Sequence, residues 1–269
     1  MSTETHSPPP STRRERRAQE RARAAPARRR AAASSSRGPS PILWITALVV
    51  VAGLVVVGSL FLLQRGSTGT VDASGLIEPG TKTPLALADG RSIGKAAAPV
   101  TLELWSDFQC PVCDQFARTV EAVLIDKYVT PGTLRIVHHD AAFQGARSGS
   151  AYDESVEAGA GARCAAEQDL YWPFHDWTFA NQAGENKGAF ADARLRAIAT
   201  AAGLDVTAWD ACRATGKQQT AVRAETTQAL ANGVNATPTM TINGQKIEGI
   251  RSAAELGAVI EAAAAAAAG

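Results

Sequence analysis

The stretch Ser106-Asp107-Phe108-Gln109-Cys110-Pro111-Val112-Cys113 decides how the rest of this 269-residue chain is interpreted. The stretch Val100-Thr101-Leu102-Glu103-Leu104-Trp105 before it predicts a short strand, and helical spacing of apolar residues continues after it to about residue 128. A Cys-x-x-Cys motif at a strand-to-helix junction is typical of a redox-active pair. The alternatives are two structural thiols or half of a zinc site, but zinc needs two further ligands, and no second Cys-x-x-Cys or nearby histidine pair supplies them.

The position of Cys110 at the predicted helix start explains the redox interpretation physically. Free backbone N–H groups and the positive end of the helix dipole favour a thiolate there. Pro111 suits the first helical turn, where its missing N–H is not needed, and Val112 offers no side-chain donor. Cys113 lies one turn on, within reach of a mixed disulfide formed at Cys110. The sequence therefore predicts Cys110 as the attacking thiol, with a pKa below about 8.5, and Cys113 as the resolving thiol.

Hydrophobic patterning beyond this motif predicts an α/β domain at 99–269. Residues 133–137 read as a second strand, and residues 150–234 are alanine-rich with helical spacing. Two short strands, 240–242 and 245–247, flank Asn243-Gly244, which is the strongest hairpin signal in the chain. Ser252 and Glu255 have the spacing of a capping box and predict a last helix.

Four stretches of the chain resemble DsbA-like thiol–disulfide oxidoreductases. They are the signature at 106–113, the segment 89–100, the stretch 163–168 with Trp172, Phe174 and His175, and Asn235-Ala236-Thr237-Pro238-Thr239. In that family they correspond to the active-site signature, the segment that leads into the domain, the helical insertion and the cis-proline loop. The resemblance covers about residues 85–260 and implies a thioredoxin fold with a helical insertion at about 150–234.

The resemblance also implies a substrate-binding loop at Thr237 and Pro238. Their peptide bond is expected to be cis and to face the cysteine pair. A cis-proline makes a tight turn and leaves the preceding backbone exposed. The N–H and C=O of Thr237 are therefore expected to pair with an extended substrate, as a short β-augmentation.

The sequence departs from the family at the position of a buried acid that often precedes the nucleophile by six residues and helps to accept a proton. Leu104 occupies that position here. Glu103 lies one residue earlier, and strand alternation places it on the opposite face of the sheet. Asp107 is nearer to the cysteines and is interpreted as a cap of the helix approach. The sequence therefore assigns no general base.

The histidines predict neither a metal site nor a catalytic pair. His138 and His139 precede Asp140, and adjacent side chains on a strand point in opposite directions. His175 and Asp176 lie in an aromatic-rich segment, which favours a packed helix. We expect no metal and no cofactor.

The remaining cysteines, Cys164 and Cys212, both fall in the predicted helical insertion. In an oxidising compartment free thiols tend to pair, so a structural disulfide is expected. Two buried free cysteines are the alternative.

The N-terminal part of the chain predicts a membrane anchor. Residues 1–41 hold ten arginines against three glutamates, a local net charge of +7, and no tyrosine, phenylalanine or tryptophan, so a disordered cytoplasmic arm is expected. Residues 42–63 carry no charge, and as a helix they would extend about 33 Å, enough to span a bilayer. A cleaved signal peptide is the alternative, although the arm is too long for its n-region. Residues 64–98 predict an extracytoplasmic linker with an edge hairpin near Asp89-Gly90.

Together these features predict a single-pass cell-membrane protein whose extracytoplasmic domain donates disulfides to reduced or misfolded proteins. The body of the chain is mildly acidic, which argues against nucleic-acid binding. The resemblance implies re-oxidation by a quinone-linked membrane partner similar to DsbB or to a vitamin K epoxide reductase homologue. A reductase or isomerase of the same fold is the alternative enzyme. A copper or zinc chaperone that uses both cysteines of the motif and a histidine is the non-enzymatic alternative.

Overall fold

A computed structural model describes residues 75–145, 152–247 and 252–269. Its centre is a six-stranded mixed sheet with the strand order β1-β2-β4-β3-β5-β6. Strands β3 and β4 are parallel, and every other neighbouring pair is antiparallel. The strands are β1 (Ala88–Asp89), β2 (Ser92–Ile93), β3 (Val100–Ser106), β4 (Leu134–Asp140), β5 (Thr239–Ile242) and β6 (Gln245–Ile247).

Seven helices surround this sheet in the described part of the chain. Helix α1 runs through residues 111–129 and includes two π-helical turns, Ala117–Glu121 and Ile125–Val129. The others are α2 (Glu154–Ala166), α3 (Tyr171–Ala180), α4 (Asp192–Ala201), α5 (Val206–Ala214), α6 (Lys217–Ala231) and α7 (Ala253–Ala268). Helices α2 to α6 lie between β4 and β5, so the predicted thioredoxin fold with a helical insertion is confirmed.

The β3-α1-β4 crossover positions the cysteine motif. Leu102 and Leu104 on β3 and Leu134 and Ile136 on β4 are fully or almost fully buried, which fixes the two parallel strands in the core. A parallel pair requires a crossover connection, and here that connection is α1. Helix α1 therefore starts at the carboxyl edge of the sheet, where ligand and active sites of open α/β sheets lie.

The folded domain begins before the predicted boundary at residue 99. Ile93 is fully buried, and β2 pairs with β4, so the edge hairpin is part of the sheet. The hairpin itself is confirmed, with Ala88–Asp89 paired to Ser92–Ile93, and a 3₁₀ turn at Leu85–Leu87 precedes it. Further upstream, the backbone N–H of Ile77 donates to the side chain of Asn181. Residues 75–98 are therefore packed against the domain rather than forming a free linker.

Two local predictions near the C-terminus are also confirmed. Asn243 and Gly244 have φ values of 47° and 81°, the left-handed pair that a tight β5–β6 hairpin requires. Ser252 and Glu255 form a reciprocal capping box at the start of α7.

The predicted arm at 1–41 and the predicted membrane span at 42–63 lie outside the described residues. Across 75–145, 152–247 and 252–269, no helix has the length and apolar character needed to cross a bilayer.

Candidate active site

Cys110 is the N-cap residue of α1, and Pro111 is its first helical residue. The carbonyl oxygen of Cys110 accepts a hydrogen bond from the N–H of Asp114. The N–H of Cys110 donates to the carbonyl oxygen of Asp107. Because one helical turn separates them, Cys110 and Cys113 lie side by side. Both are free and buried, with exposures of 3% and 1%.

Several donors stabilise a thiolate at Cys110. The thiol of Cys113 donates the most important hydrogen bond, and the N–H groups of Cys113 and Val112 add to it. The side chain of Thr237 also lowers the pKa of Cys110, although its buried hydroxyl makes no hydrogen bond of ordinary geometry among the described residues. These groups outweigh the opposing effect of burial and lower the pKa of Cys110 to about 5. The predicted direction of this pKa shift is confirmed.

Cys113 has the opposite environment. Its burial, its hydrogen bond to Cys110 and the negative charge of that thiolate raise the pKa of Cys113 well above its usual value. The two sulfurs therefore differ strongly in acidity, although they are only three residues apart. A low-pKa thiol is the better nucleophile and leaving group at neutral pH, and a buried high-pKa thiol holds its proton.

The loop before β5 faces this pair. The Thr237–Pro238 peptide bond is cis, and the carbonyl oxygen of Thr237 accepts a hydrogen bond from the Cys110 thiol at 3.4 Å. The structure thus brings together Cys110, Cys113 and Thr237, as expected from the sequence.

Asp107 is a buried acid beside the cysteines. It accepts the N–H of Gln109 just before α1, as expected for a cap of the helix approach, while Cys110 is the N-cap of the helix itself. The carboxylate of Asp107 accepts hydrogen bonds from Gln109 N, Gln144 N and Ser155 Oγ, at 2.9–3.0 Å. Burial raises the pKa of Asp107 to about 6, although these hydrogen bonds oppose the rise. Asp107 and the Cys110 sulfur also interact electrostatically, so Asp107 is a buried acid that senses the charge of the reacting thiolate.

The two residues considered for a family-type buried acid lie elsewhere. Leu104 points into the core with 1% exposure. Glu103 is on the opposite face of β3, where it contacts the ring of His139. Strand alternation is confirmed as the reason why Glu103 does not substitute for the missing acid.

Gln182, which follows α3, holds the active-site loop and was not identified from the sequence. Its amide nitrogen donates to the carbonyls of Phe108 at 2.7 Å and of Cys110 at 3.0 Å. A glutamine in a polar stretch carries no local signal of such a role; only the packing of the insertion reveals it.

The other pair of cysteines lies within the insertion. Cys164 on α2 and Cys212 on α5 form a disulfide bond, with their Cα atoms 5.9 Å apart. Neither sulfur belongs to the site around Cys110.

Adjacent histidines on β4 point in opposite directions. His138 is buried against Glu121, with Nε2 2.7 Å from Oε1, whereas His139 contacts Glu225 and Glu103 on the other face. His175 on α3 is buried among aromatic rings, as the sequence predicted.

Comparisons with known proteins agree with this geometry. The model of a protein family described as Thioredoxin matches residues 87–262. A curated relative from Bacillus cereus, named probable disulfide bond formation protein D, is 31% identical over 93 residues. That match covers 34% of this chain and only 40% of the relative.

Solved structures extend the likeness to the whole domain. The oxidised form of BdbD from Bacillus subtilis has a TM-score of 0.57 at 19% identity, and the match covers 70% of this chain and all of that one. Oxidised DsbA of Mycobacterium tuberculosis has a TM-score of 0.53 at 27% identity, covering 66% of this chain and all of that one.

Proposed function

This chain belongs to the thioredoxin family, and from that membership we propose that it is a thiol–disulfide oxidoreductase that donates disulfides to other proteins. The observation that carries the proposal is the asymmetry of the pair, with the pKa of Cys110 lowered to about 5 and that of Cys113 raised. Stabilising the Cys110 thiolate stabilises the reduced enzyme, and a pair whose reduced form is stabilised is an oxidant.

The reaction starts from the Cys110–Cys113 disulfide. A substrate thiolate attacks the sulfur of Cys110, a mixed disulfide forms, and Cys113 leaves and takes up a proton. A second substrate thiolate then attacks the substrate sulfur of the mixed disulfide, and Cys110 leaves as a stable thiolate. The substrate has lost two electrons and gained one disulfide, and the enzyme has gained both electrons.

The Thr237 loop serves as the substrate platform in this proposal. Its carbonyl lies beside the Cys110 sulfur, so an extended peptide that pairs with the Thr237 backbone presents its cysteine to Cys110. Recognition through backbone groups suits reduced or misfolded proteins of varied sequence.

We also propose that the domain is tethered outside the cytoplasm. The uncharged span at 42–63 and the arginines before it support a single-pass topology with a cytoplasmic N-terminus. The Cys164–Cys212 disulfide supports an oxidising compartment. In such a place a quinone-linked membrane partner that resembles DsbB or a vitamin K epoxide reductase homologue re-oxidises the pair.

The decisive measurement is the reduction potential of the Cys110/Cys113 pair in the full-length protein. We expect a value above that of thioredoxin, about −270 mV, and stoichiometric oxidation of a reduced, unfolded protein. A potential at or below that of thioredoxin would instead assign a reductase. A reporter that is active only outside the cytoplasm, fused after Gly269, tests the topology; activity of a cytoplasm-only reporter there would contradict it.

A further inference from the structure

A second cluster of chemically active side chains lies away from the two cysteines. Glu121 ends the first π-helical turn of α1, His138 is on β4, and His175 is on α3. Their exposures are only 1%, 3% and 3%, and one ligand atom from each lies within 4.8 Å of the others. We propose that Glu121, His138 and His175 bind a divalent cation, and that Zn²⁺ is the cation they fit best.

Unsatisfied polar atoms are the first argument for a ligand here. One carboxylate oxygen of Glu121 contacts the His138 ring nitrogen at 2.7 Å. The other oxygen and the Nε2 atom of His175 are buried, 3.5 Å apart, and neither has a hydrogen-bond partner among the described residues. Burying polar atoms without a partner is unfavourable. A cation between them satisfies both atoms.

The donor set is the second argument. Two imidazole nitrogens and one carboxylate oxygen are a known ligand combination for zinc, with a water molecule in the fourth position. A cavity of about 250 Å³ reaches Glu121 and His175 and is also lined by Thr83, Asp126 and Thr130. It provides both an access route for the ion and room for the fourth ligand.

The surroundings of His175 are the third argument. Its second ring nitrogen, Nδ1, lies 3.0 Å from a carboxylate oxygen of Asp176. Asp176 is itself held by the backbone N–H of Thr83 at 2.7 Å and by the Thr83 hydroxyl at 3.0 Å. A histidine that ligates zinc typically donates its other N–H to such a carboxylate, which fixes the ring orientation.

The proposed ion links three parts of the fold: the cysteine-bearing helix, the central sheet and the helical insertion. It is separate from the redox pair, because none of its ligands is a cysteine. The alternative is a metal-free cluster in which His175 only packs against Phe179 and Trp172, at ring distances of 4.8 Å and 5.2 Å. The two alternatives differ in whether the protein binds zinc.

The test uses the full-length protein, purified in detergent without a polyhistidine tag and with the Cys110–Cys113 disulfide formed. In that state no active-site thiolate competes for the metal. Titration with Zn²⁺ against a chelating dye should give one site per chain. Glu121→Gln and His175→Gln should weaken binding by about 100-fold or more, and Asp176→Asn by about 10–100-fold. His139→Gln, on the opposite face of β4, is the matched control and should bind zinc as the wild type does.

X-ray absorption of the zinc-loaded wild type gives a second readout that does not depend on the folding of any variant. We expect nitrogen and oxygen ligands with imidazole scattering and no sulfur. Failure of the oxidised wild type to bind zinc would overturn the proposal. Equal affinity in folded Glu121→Gln and His175→Gln variants, or sulfur in the zinc shell, would also overturn it. None of these results depends on the redox activity.

Discussion

Replacing Thr237 by valine should make the Cys110 thiolate less stable. The change removes the buried side-chain hydroxyl, which lowers the pKa of Cys110 without a hydrogen bond of ordinary geometry to a described residue, but keeps the backbone carbonyl 3.4 Å from the sulfur. A hydrogen bond to a charged group contributes about 1.5–3 kcal/mol, and one pKa unit corresponds to about 1.4 kcal/mol. Because the Thr237 hydroxyl makes no hydrogen bond of ordinary geometry in the described part of the chain, the lower end of this range applies, and the pKa of Cys110 should rise from about 5 by about one unit.

The same change should make the pair a weaker oxidant. The lowered pKa of Cys110 stabilises the reduced form at every pH above it, and this contribution is lost as the pH falls through that pKa. At neutral pH the thiolate remains formed in both proteins, so one pKa unit removes about 1.4 kcal/mol from the reduced form. For a two-electron couple this lowers the reduction potential by about 30 mV.

The assay is a pH titration of the thiolate's ultraviolet absorbance, combined with equilibration against glutathione to obtain the potential. Thr239→Val is the matched control, because the Thr239 hydroxyl donates to the carbonyl of Ala236 rather than to a cysteine. An unchanged pKa in Thr237→Val, or an equal shift in Thr239→Val, would refute the role given to the Thr237 hydroxyl.

Three further changes test the cysteines and Asp107. Cys113→Ala should trap mixed disulfides on Cys110, visible in non-reducing gels; trapping by Cys110→Ala instead would reverse the two roles. Replacing both Cys164 and Cys212 by alanine should lower the free energy of unfolding by about 4 kcal/mol, because a 48-residue loop is released, with no change in the potential. An unchanged unfolding midpoint would contradict that structural role. Asp107→Asn should leave the pKa of Cys110 nearly unchanged, because Asp107 has a pKa of about 6 and its carboxyl is mostly protonated where Cys110 titrates, near 5; a shift of a full unit would contradict this.

Local signals predicted much of the fold and the centre of the site. The helix start at Cys110-Pro111, the Asn243-Gly244 turn and the Ser252/Glu255 capping box depend on residues that are at most three positions apart.

Strand β4 shows the limit of prediction from local sequence. The sequence predicts a strand at 133–137, but pairing with β3 continues through the polar residues that follow, to Asp140. Ion pairs, such as that of Asp140 with Arg163 at 2.6 Å, make the polar extension stable.

The sequence alone did not predict the roles of the residues that support the site. Asp107 is buried because Gln144 and Ser155, 37 and 48 residues later, donate to its carboxylate. Glu121 has the spacing of an ordinary polar position on a helix, and only packing against β4 and α3 encloses it. Both depend on how the insertion is placed on the sheet, which no short-range pattern encodes.

The contact between Gln182 and the active-site loop has a consequence for protein engineering. Gln182 lies 72 residues after Cys110, yet one amide group satisfies the carbonyls of both Phe108 and Cys110. A minimal catalytic fragment without α2 to α6 would retain both cysteines and lose this support. A chimera that takes its insertion from a relative needs an equivalent amide at the same place. The helical insertion is therefore part of the smallest fragment that keeps the active-site loop supported, and it should not be deleted from an engineered domain.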